Sequence, residues 1–313
     1  MHHTKNRTTI PIFFATDDNY APFLGVAIQS LTENVSKEYV CKIHVLTTDL
    51  SAHNRAAIRR SAKRPATVEF VDVSEKVKAL ADRLHLRDYY TKATYYRFFI
   101  ANLFPQYDKA LYLDCDIVVT GDISELYNTE LGDNLVGAIQ DEVLLIDVFG
   151  KYSEVVLNIP RRSYFNAGIL VMNLAEFRRI NIENEFIKIL GKRRFTVAQD
   201  QDYLNVICYG KSVFVCYDWN KTPISNSEYS ESATPKLIHY KINWKPWHYN
   251  NVMYGDLFWE YANRSPYRRH IAKIFRGYTD EERQRDADAY TNLAALAAKQ
   301  TADPAETYCN SNS

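Results

Sequence analysis

The first hundred residues alternate between two hydrophobic periods, and that alternation limits the possible folds more than any other feature. "TIPIFFAT" is a β-branched and aromatic run, and "APFLGVAIQSLTENV" carries apolar residues at helical spacing. "CKIHVLTT" reads as a second strand, "LSAHNRAAIRRSAK" as a helix opened by a serine cap, and "ATVEFVDV" as a third strand. A β-α-β-α-β order predicts a mostly parallel sheet with helices on both faces. "TKATYYRFFIANLF" reads as a further helix stopped by Pro105, followed by the strands "KALYLDCDIVV" and "NLVGAIQD". In open α/β sheets, ligands sit beyond the carboxyl ends of the strands. The polar cluster Asp17–Asp18–Asn19–Tyr20 and the acids Asp114 and Asp116 both fall at such ends, so one sheet edge should carry one site.

Composition narrows the class. With 313 residues, 46% of them hydrophobic, the chain can bury a large core, as one large domain or as one domain with an appendage. Thirty-eight basic residues against 38 acidic ones argue against nucleic acid as a partner, because that binding rests on excess basic charge. The five cysteines (Cys41, Cys115, Cys208, Cys216, Cys309) are odd in number and form no C-x-x-C pair. That disfavours a disulfide framework or a zinc site and favours a reducing cytosol. The N-terminal "MHHTKNRTT" is polar, no secretory signal is visible, and no apolar run approaches the ~20 residues of a membrane span. The tail from about Asp280 to Ser313 turns polar and alanine-rich, and reads as a loose helix followed by disorder.

Within "ALYLDCDIVVTGD", an apolar strand runs into Asp114 and Asp116, with Asp122 close behind. Burying an unpaired carboxylate is costly, so either the strand ends at the surface or a cation sits there. Side chains alternate along a strand, so Asp114 and Asp116 would share one side while it persists, and two oxygen ligands suit a hard divalent ion such as Mg²⁺ or Mn²⁺. The plain alternative is a strand terminus with solvated acids. Three further patches stand out. "YFNAGILVMNL" places Asn-Ala-Gly before an apolar strand, where the glycine permits close backbone approach or only makes a turn. "AQDQDYLNVI" stacks Gln199, Asp200, Gln201 and Asp202 at a helix start, where ordinary capping accounts for acids. "KLIHYKINWKPWHY" mixes His239, Lys245, His248 and two tryptophans, a pattern also met in packed surfaces.

Taken in order, "FFATDDNYAPFLGVAIQSL", "TYYRFFIANLFPQYDKALYLDCDIVV", "YFNAGILVMNL", "AQDQDYLN" and "LIHYKINWKPWH" form one set. From about Thr9 to Tyr261 the chain resembles the retaining glycosyltransferases of family 8, the group that includes bacterial lipooligosaccharide galactosyltransferases and glycogenin. The resemblance implies an α/β GT-A fold: a single Rossmann-like sheet, mixed but mostly parallel and flanked by helices, over residues 9–261. Residues 262–313 would form a C-terminal helical extension and a partly disordered tail. It further implies a UDP-sugar donor and Mn²⁺, with Mg²⁺ as the substitute. The family's metal ligands match Asp114, Asp116 and His239, and its diphosphate-binding lysine matches Lys245. Its first-strand nucleotide motif matches Ala15, Asp17, Asn19 and Tyr20, with Thr16 inside the same stretch. Tyr20 would lie against the uracil and Asp17 would accept from its ring N–H. Cys115, between the two acids, falls within the donor-binding segment, but its side chain is expected to point away from the metal and pack.

Around the sugar, the resemblance places Arg97, Asp141, Asn166 and Asp200 at the hydroxyls and Gln201 near the anomeric carbon. A double displacement with retention wants a carboxylate nucleophile there. An amide is a poor one, so the resemblance leans towards front-face substitution, with Asp200 keeping a covalent route open. The chain departs from the lipooligosaccharide enzymes at Ile242, where they carry a glycine, and at Tyr89 and Tyr90. The unmatched segment between Asp141 and Tyr164 is assigned to the acceptor pocket. The basic segment Asn263 to Tyr278 fits either peripheral contact with an anionic membrane or an ordinary helix with a solvated face. Three readings follow. The first is a retaining transferase of glucose or galactose onto a glycan, glycolipid or glycoprotein, cytoplasmic or at the inner face of the membrane. The second is a non-catalytic metal and UDP-sugar binder. The third is a metal-dependent nucleotidyltransferase, which would want a glycine-rich or basic phosphate loop where "TDDNYAPF" stands.

Overall fold

A computed structural model of the chain describes residues 7–79, 92–223, 234–241, 243–303 and 307–308. Tyr89, Tyr90, Ile242 and Cys309 lie outside the described residues. The expected strands form as β1 (Thr8–Ala15), β2 (Tyr39–Thr47), β3 (Thr67–Asp72), β4 (Lys109–Leu113) and β6 (Val136–Gln140). With β7 (Phe165–Asn173) and β8 (Ser212–Phe214) they make a seven-stranded sheet in the order β3-β2-β1-β4-β7-β6-β8. Both faces are covered. Along β1, Ile12 and Phe14 join one buried cluster and Phe13 the other, as the two-residue period requires. The helix Ala52–Ser61 opens at Ser51, whose side chain accepts from the Asn54 N–H.

β7 runs antiparallel to both β4 and β6, against the direction shared by the other strands of this sheet. Its first residues therefore sit at the edge where the other strands finish. Leu113 pairs with Ile169 and Ile139 with Asn166, so Asn166–Gly168 lie beside Asp114 and near Asp141.

Two expected elements differ. The single strand "KALYLDCDIVV" breaks after Leu113; Ile117–Val119 form a separate strand, β5, paired antiparallel with β9 (Leu237–His239). The chain leaves the main sheet at the two acids, and the Ile117–His239 pairing brings the histidine alongside Asp116. The helix expected over "TKATYYRFFIANLF" is a 3₁₀ segment, Lys92–Phe99, with one α-turn, Ile100–Leu103. Three residues per turn aligns positions i and i+3; Thr94 and Arg97 accordingly line the same cavity.

Near the C-terminus, the helix Arg268–Gly277 buries Ile271 and sets Phe275 edge-on to Trp259 at 5.3 Å. Its apolar face is occupied by the protein body, while Arg268, Arg269, Lys273 and Arg276 are exposed, as in the solvated-face reading. The following helix, Asp280–Thr301, is a continuous 22-residue element opened by a Thr279/Glu282 capping box, rather than a loose one. Ala297 is fully buried and Gln300 bonds Thr196 at 3.1 Å. No helix among the described residues is long and apolar enough to cross a membrane.

Candidate active site

Asp114 and Asp116 occupy the break between β4 and β5, and His239 ends β9. His239 Nε2 lies 3.2 Å from Asp116 Oδ1 and 3.8 Å from Asp114 Oδ2. One ligand atom from each of the three residues falls within 4.8 Å of the others. Gly168 makes this convergence possible. A Cβ there would lie 2.4 Å from His239 Cε1 and 2.6 Å from Asp114 Oδ2, so no larger residue fits between the ligands. Two carboxylates and an imidazole form a donor set suited to Mn²⁺ or a similar divalent ion, and the residues fit such an ion. Lys245 Nζ donates to Asp116 Oδ2 and to the Tyr240 carbonyl. Burial alone would raise the Asp116 pKa; the Lys245 ammonium foremost, with the hydrogen bonds from Lys245 and His239, outweighs it and holds the carboxyl well below the usual range. Cys115 turns away, its thiol donating to the Ala15 carbonyl at 3.2 Å, and packs in the core. Asp122 is not part of this group. Its carboxylate accepts from the Ser124 and Ser36 N–H groups, which is a capping role.

Across the same cavity lies a second set. Asp141 caps the turn Glu142–Leu145 and receives Lys241 Nζ at 2.7 Å. Its other oxygen accepts from Asn166 Nδ2 at 3.2 Å and Gln201 Nε2 at 3.1 Å. Burial opposes ionisation of Asp141, but Lys241 and these donors together lower its pKa. Gln201 Oε1 accepts from the Ala167 N–H at 2.9 Å and Asn166 Nδ2 at 3.1 Å. Asp200 pairs with Arg97 at 3.2 Å, and Arg97 also reaches Asp114 at 3.3 Å, the Ala167 carbonyl, and the face of Tyr112 at 4.2 Å. Burial pushes the Asp200 carboxyl up to about 6, against the pull of Arg97. The preceding Gln199 has φ 51°, a conformation rare for a side-chain-bearing residue, and it turns Asp200 and Gln201 into the site. Asp202, read from sequence as a helix-capping acid, is instead fully buried and accepts from Tyr152, Tyr164 and the Ala198 N–H.

One cavity is lined by Asp114, Asp116, His239, Lys245, Arg97, Asp141, Asn166, Asp200 and Gln201. An adjoining hollow is lined by Ala15, Thr16, Asp17, Tyr20, Cys115, Asp114 and Asp116. Asn19 is exposed and lines neither. Sequence reasoning missed Lys241, Thr94, Tyr290 and Leu293, which also line the first cavity, as does Phe149 from the segment assigned to the acceptor pocket. Tyr290 and Leu293 come from the C-terminal helix. Their signal in the sequence was the Thr279…Glu282 capping pattern followed by apolar positions 290, 293 and 297.

Comparisons with known proteins place the chain in a family. A family model described as "Glycosyl transferase family 8" matches residues 11–251. A lipopolysaccharide 1,3-galactosyltransferase of Salmonella typhimurium is 31% identical over 252 residues, 76% of this chain and 72% of that protein. The crystal structure of the galactosyltransferase LgtC with donor and acceptor sugar analogs superposes with a TM-score of 0.70 at 26% identity, covering 82% of this chain and 96% of that one. The bifunctional glycosyltransferase WbbM superposes with a TM-score of 0.74 at 28% identity; 85% of this chain is covered, which spans about half, 52%, of that structure.

Proposed function

The chain belongs to glycosyltransferase family 8 and has its GT-A fold, and from that premise we propose that it is a retaining UDP-hexosyltransferase. It moves glucose or galactose to a saccharide acceptor of a cell-surface glycan, glycolipid or glycoprotein. The observation that carries this reading is that the Asp114/Asp116/His239 triad and the Asp141/Asn166/Gln201 set line one cavity. The triad would hold Mn²⁺, whose charge supplies Lewis-acid stabilisation to a departing diphosphate. Lys245 adds a buried ammonium beside the same atoms. Asp17 and Tyr20, in the adjoining hollow, would take the uracil.

Gln201 favours front-face substitution. It is an amide, and its oxygen already accepts two hydrogen bonds, so both lone pairs are engaged. In our reading the bond from the anomeric carbon to the phosphate oxygen breaks. The acceptor oxygen then bonds that carbon on the same face, and the released phosphate oxygen takes the acceptor's proton. Arg97 and Asp200 orient the hexose hydroxyls, with Asp141 and Asn166 holding Gln201 in place. The acceptor enters on the side walled by Phe149, Tyr290 and Leu293. The lipopolysaccharide galactosyltransferase among the relatives supports a glycan acceptor. The four described cysteines are unbridged, which fits a cytoplasmic setting.

The test is isothermal titration of UDP with and without Mn²⁺, on wild type and Asp116→Ala. Binding should need the metal and be largely lost in the variant; a hydrolysis screen of UDP-glucose and UDP-galactose then names the donor. UDP binding of equal strength without metal would overturn the assignment.

A further inference from the structure

Asn220 ends the 3₁₀ turn Tyr217–Asn220 and is 2% exposed. Its Oδ1 lies 2.9 Å from His239 Nδ1 and its Nδ2 lies 2.9 Å from Asn166 Oδ1. Hydrogen-bond polarity decides which way both amides face. The Gly168 N–H can only donate, and it lies 3.0 Å from the Asn166 atom that also faces Asn220, so that atom is the oxygen. The Asn166 nitrogen then faces Asp141, a carboxylate kept as an acceptor by Lys241 at 2.7 Å. With Asn166 fixed, the Asn220 group that meets its oxygen must be the NH₂. The Asn220 oxygen is left facing His239, where it can pair only with a protonated Nδ1. An imidazole that ligates a cation is neutral and carries one proton, so with Nδ1 protonated it is Nε2 that offers its lone pair on the side of Asp114 and Asp116.

We infer that Asn220 is a positioning residue that holds His239 in its Nδ1–H tautomer, ready to ligate a divalent cation, and that it takes its own orientation from Asn166 on the sugar side. The inference rests on the triad being a metal site. It ties the two halves of the cavity together through hydrogen-bond direction. Ligating histidines whose second nitrogen is left unsupported typically bind metal more weakly.

Mn²⁺ titrated into the UDP-saturated protein, with free Mn²⁺ read by its EPR signal, tests this in wild type, Asn220→Leu and Asn220→Asp. Asn220→Leu should weaken Mn²⁺ binding by about 10- to 100-fold. Asn220→Asp should lose less than Asn220→Leu, because one carboxylate oxygen still accepts from Nδ1–H although the other now meets the Asn166 oxygen without a donor. Independently of any folding defect in a variant, ¹⁵N spectra of histidine-labelled wild type with Mg²⁺ and UDP should show the His239 proton on Nδ1; the signal is assigned by its absence in His239→Asn. A proton on Nε2, an affinity unchanged in Asn220→Leu, or an Asn220→Asp variant as weak as Asn220→Leu overturns the inference alone. Wild type that binds no Mn²⁺ overturns the functional reading beneath it as well.

Discussion

Asp200 makes the pH dependence of stability measurable at one buried group. Its carboxyl is raised from 3.8 to about 6, first by burial, with Asp114 adding to the rise and Arg97 opposing it. An acid whose folded value is raised contributes stability that is fully present below pH 3.8 and is lost as the pH climbs through 6. At 1.36 kcal/mol per unit, the ionised form costs the folded state about 3 kcal/mol. Integrated between the two values, roughly half of that cost is already incurred at pH 5 and essentially all of it at pH 8. Asp200→Asn removes the titration and keeps the shape. Urea unfolding of both proteins without metal at pH 5 and pH 8 should therefore show the variant gaining on wild type by about 1 kcal/mol across that interval. The comparison cancels groups common to both chains, including His44 and His248, which burial lowers to about 4 and which destabilise the fold as the pH falls. A difference that does not change with pH would refute the argument, since it would mean that Asp200 titrates alike in the folded and unfolded chains.

Three further outcomes follow from named contacts. Gly168→Ala should leave the far-ultraviolet circular dichroism intact but weaken Mn²⁺-dependent UDP binding by at least about tenfold, because the new Cβ would push His239 away from Asp114; calorimetry showing wild-type binding would count against the triad geometry. Tyr290→Ala should raise the acceptor KM several-fold, matching about 1 kcal/mol of lost aromatic contact, while hydrolysis of the donor by water is unchanged; an unchanged acceptor KM, or an equal loss of transfer and hydrolysis, would place Tyr290 outside the acceptor side. Asp286→Ala deprives the Tyr249 and Tyr278 hydroxyls of their common acceptor at 2.8 and 2.7 Å. Amide hydrogen exchange along Asp280–Thr301 should then speed up by about 10-fold or more.

The parts of this molecule that could be read from the chain alone are those set by neighbours in sequence. The strand and helix periods, the Ser51 cap and the position of Asp17 and Asp114 beyond strand ends all follow from local pattern. The direction of β7 does not, because it depends on partners about 60 and 30 residues away in the register of β4 and β6. The break at Asp114–Asp116 was hidden for a similar reason: "IVV" is a good strand sequence, and only its distant partner "LIH" takes it out of the main sheet. The C-terminal helix looked loose because its face is mostly polar; its docking uses a thin stripe of Tyr290, Leu293 and Ala297. Lys241 and Asn220 carry no local signature, and their importance lies in which atoms they face.

The family match ends at residue 251, yet one wall of the cavity is built from residues 290 and 293. The segment proposed to meet the incoming acceptor thus carries no ligand of the cation and no group proposed to grip the nucleotide. A recombination joint in the turn before Asp280 would hand the same donor chemistry a different recipient, which makes this helix the natural place to graft when a new product is wanted.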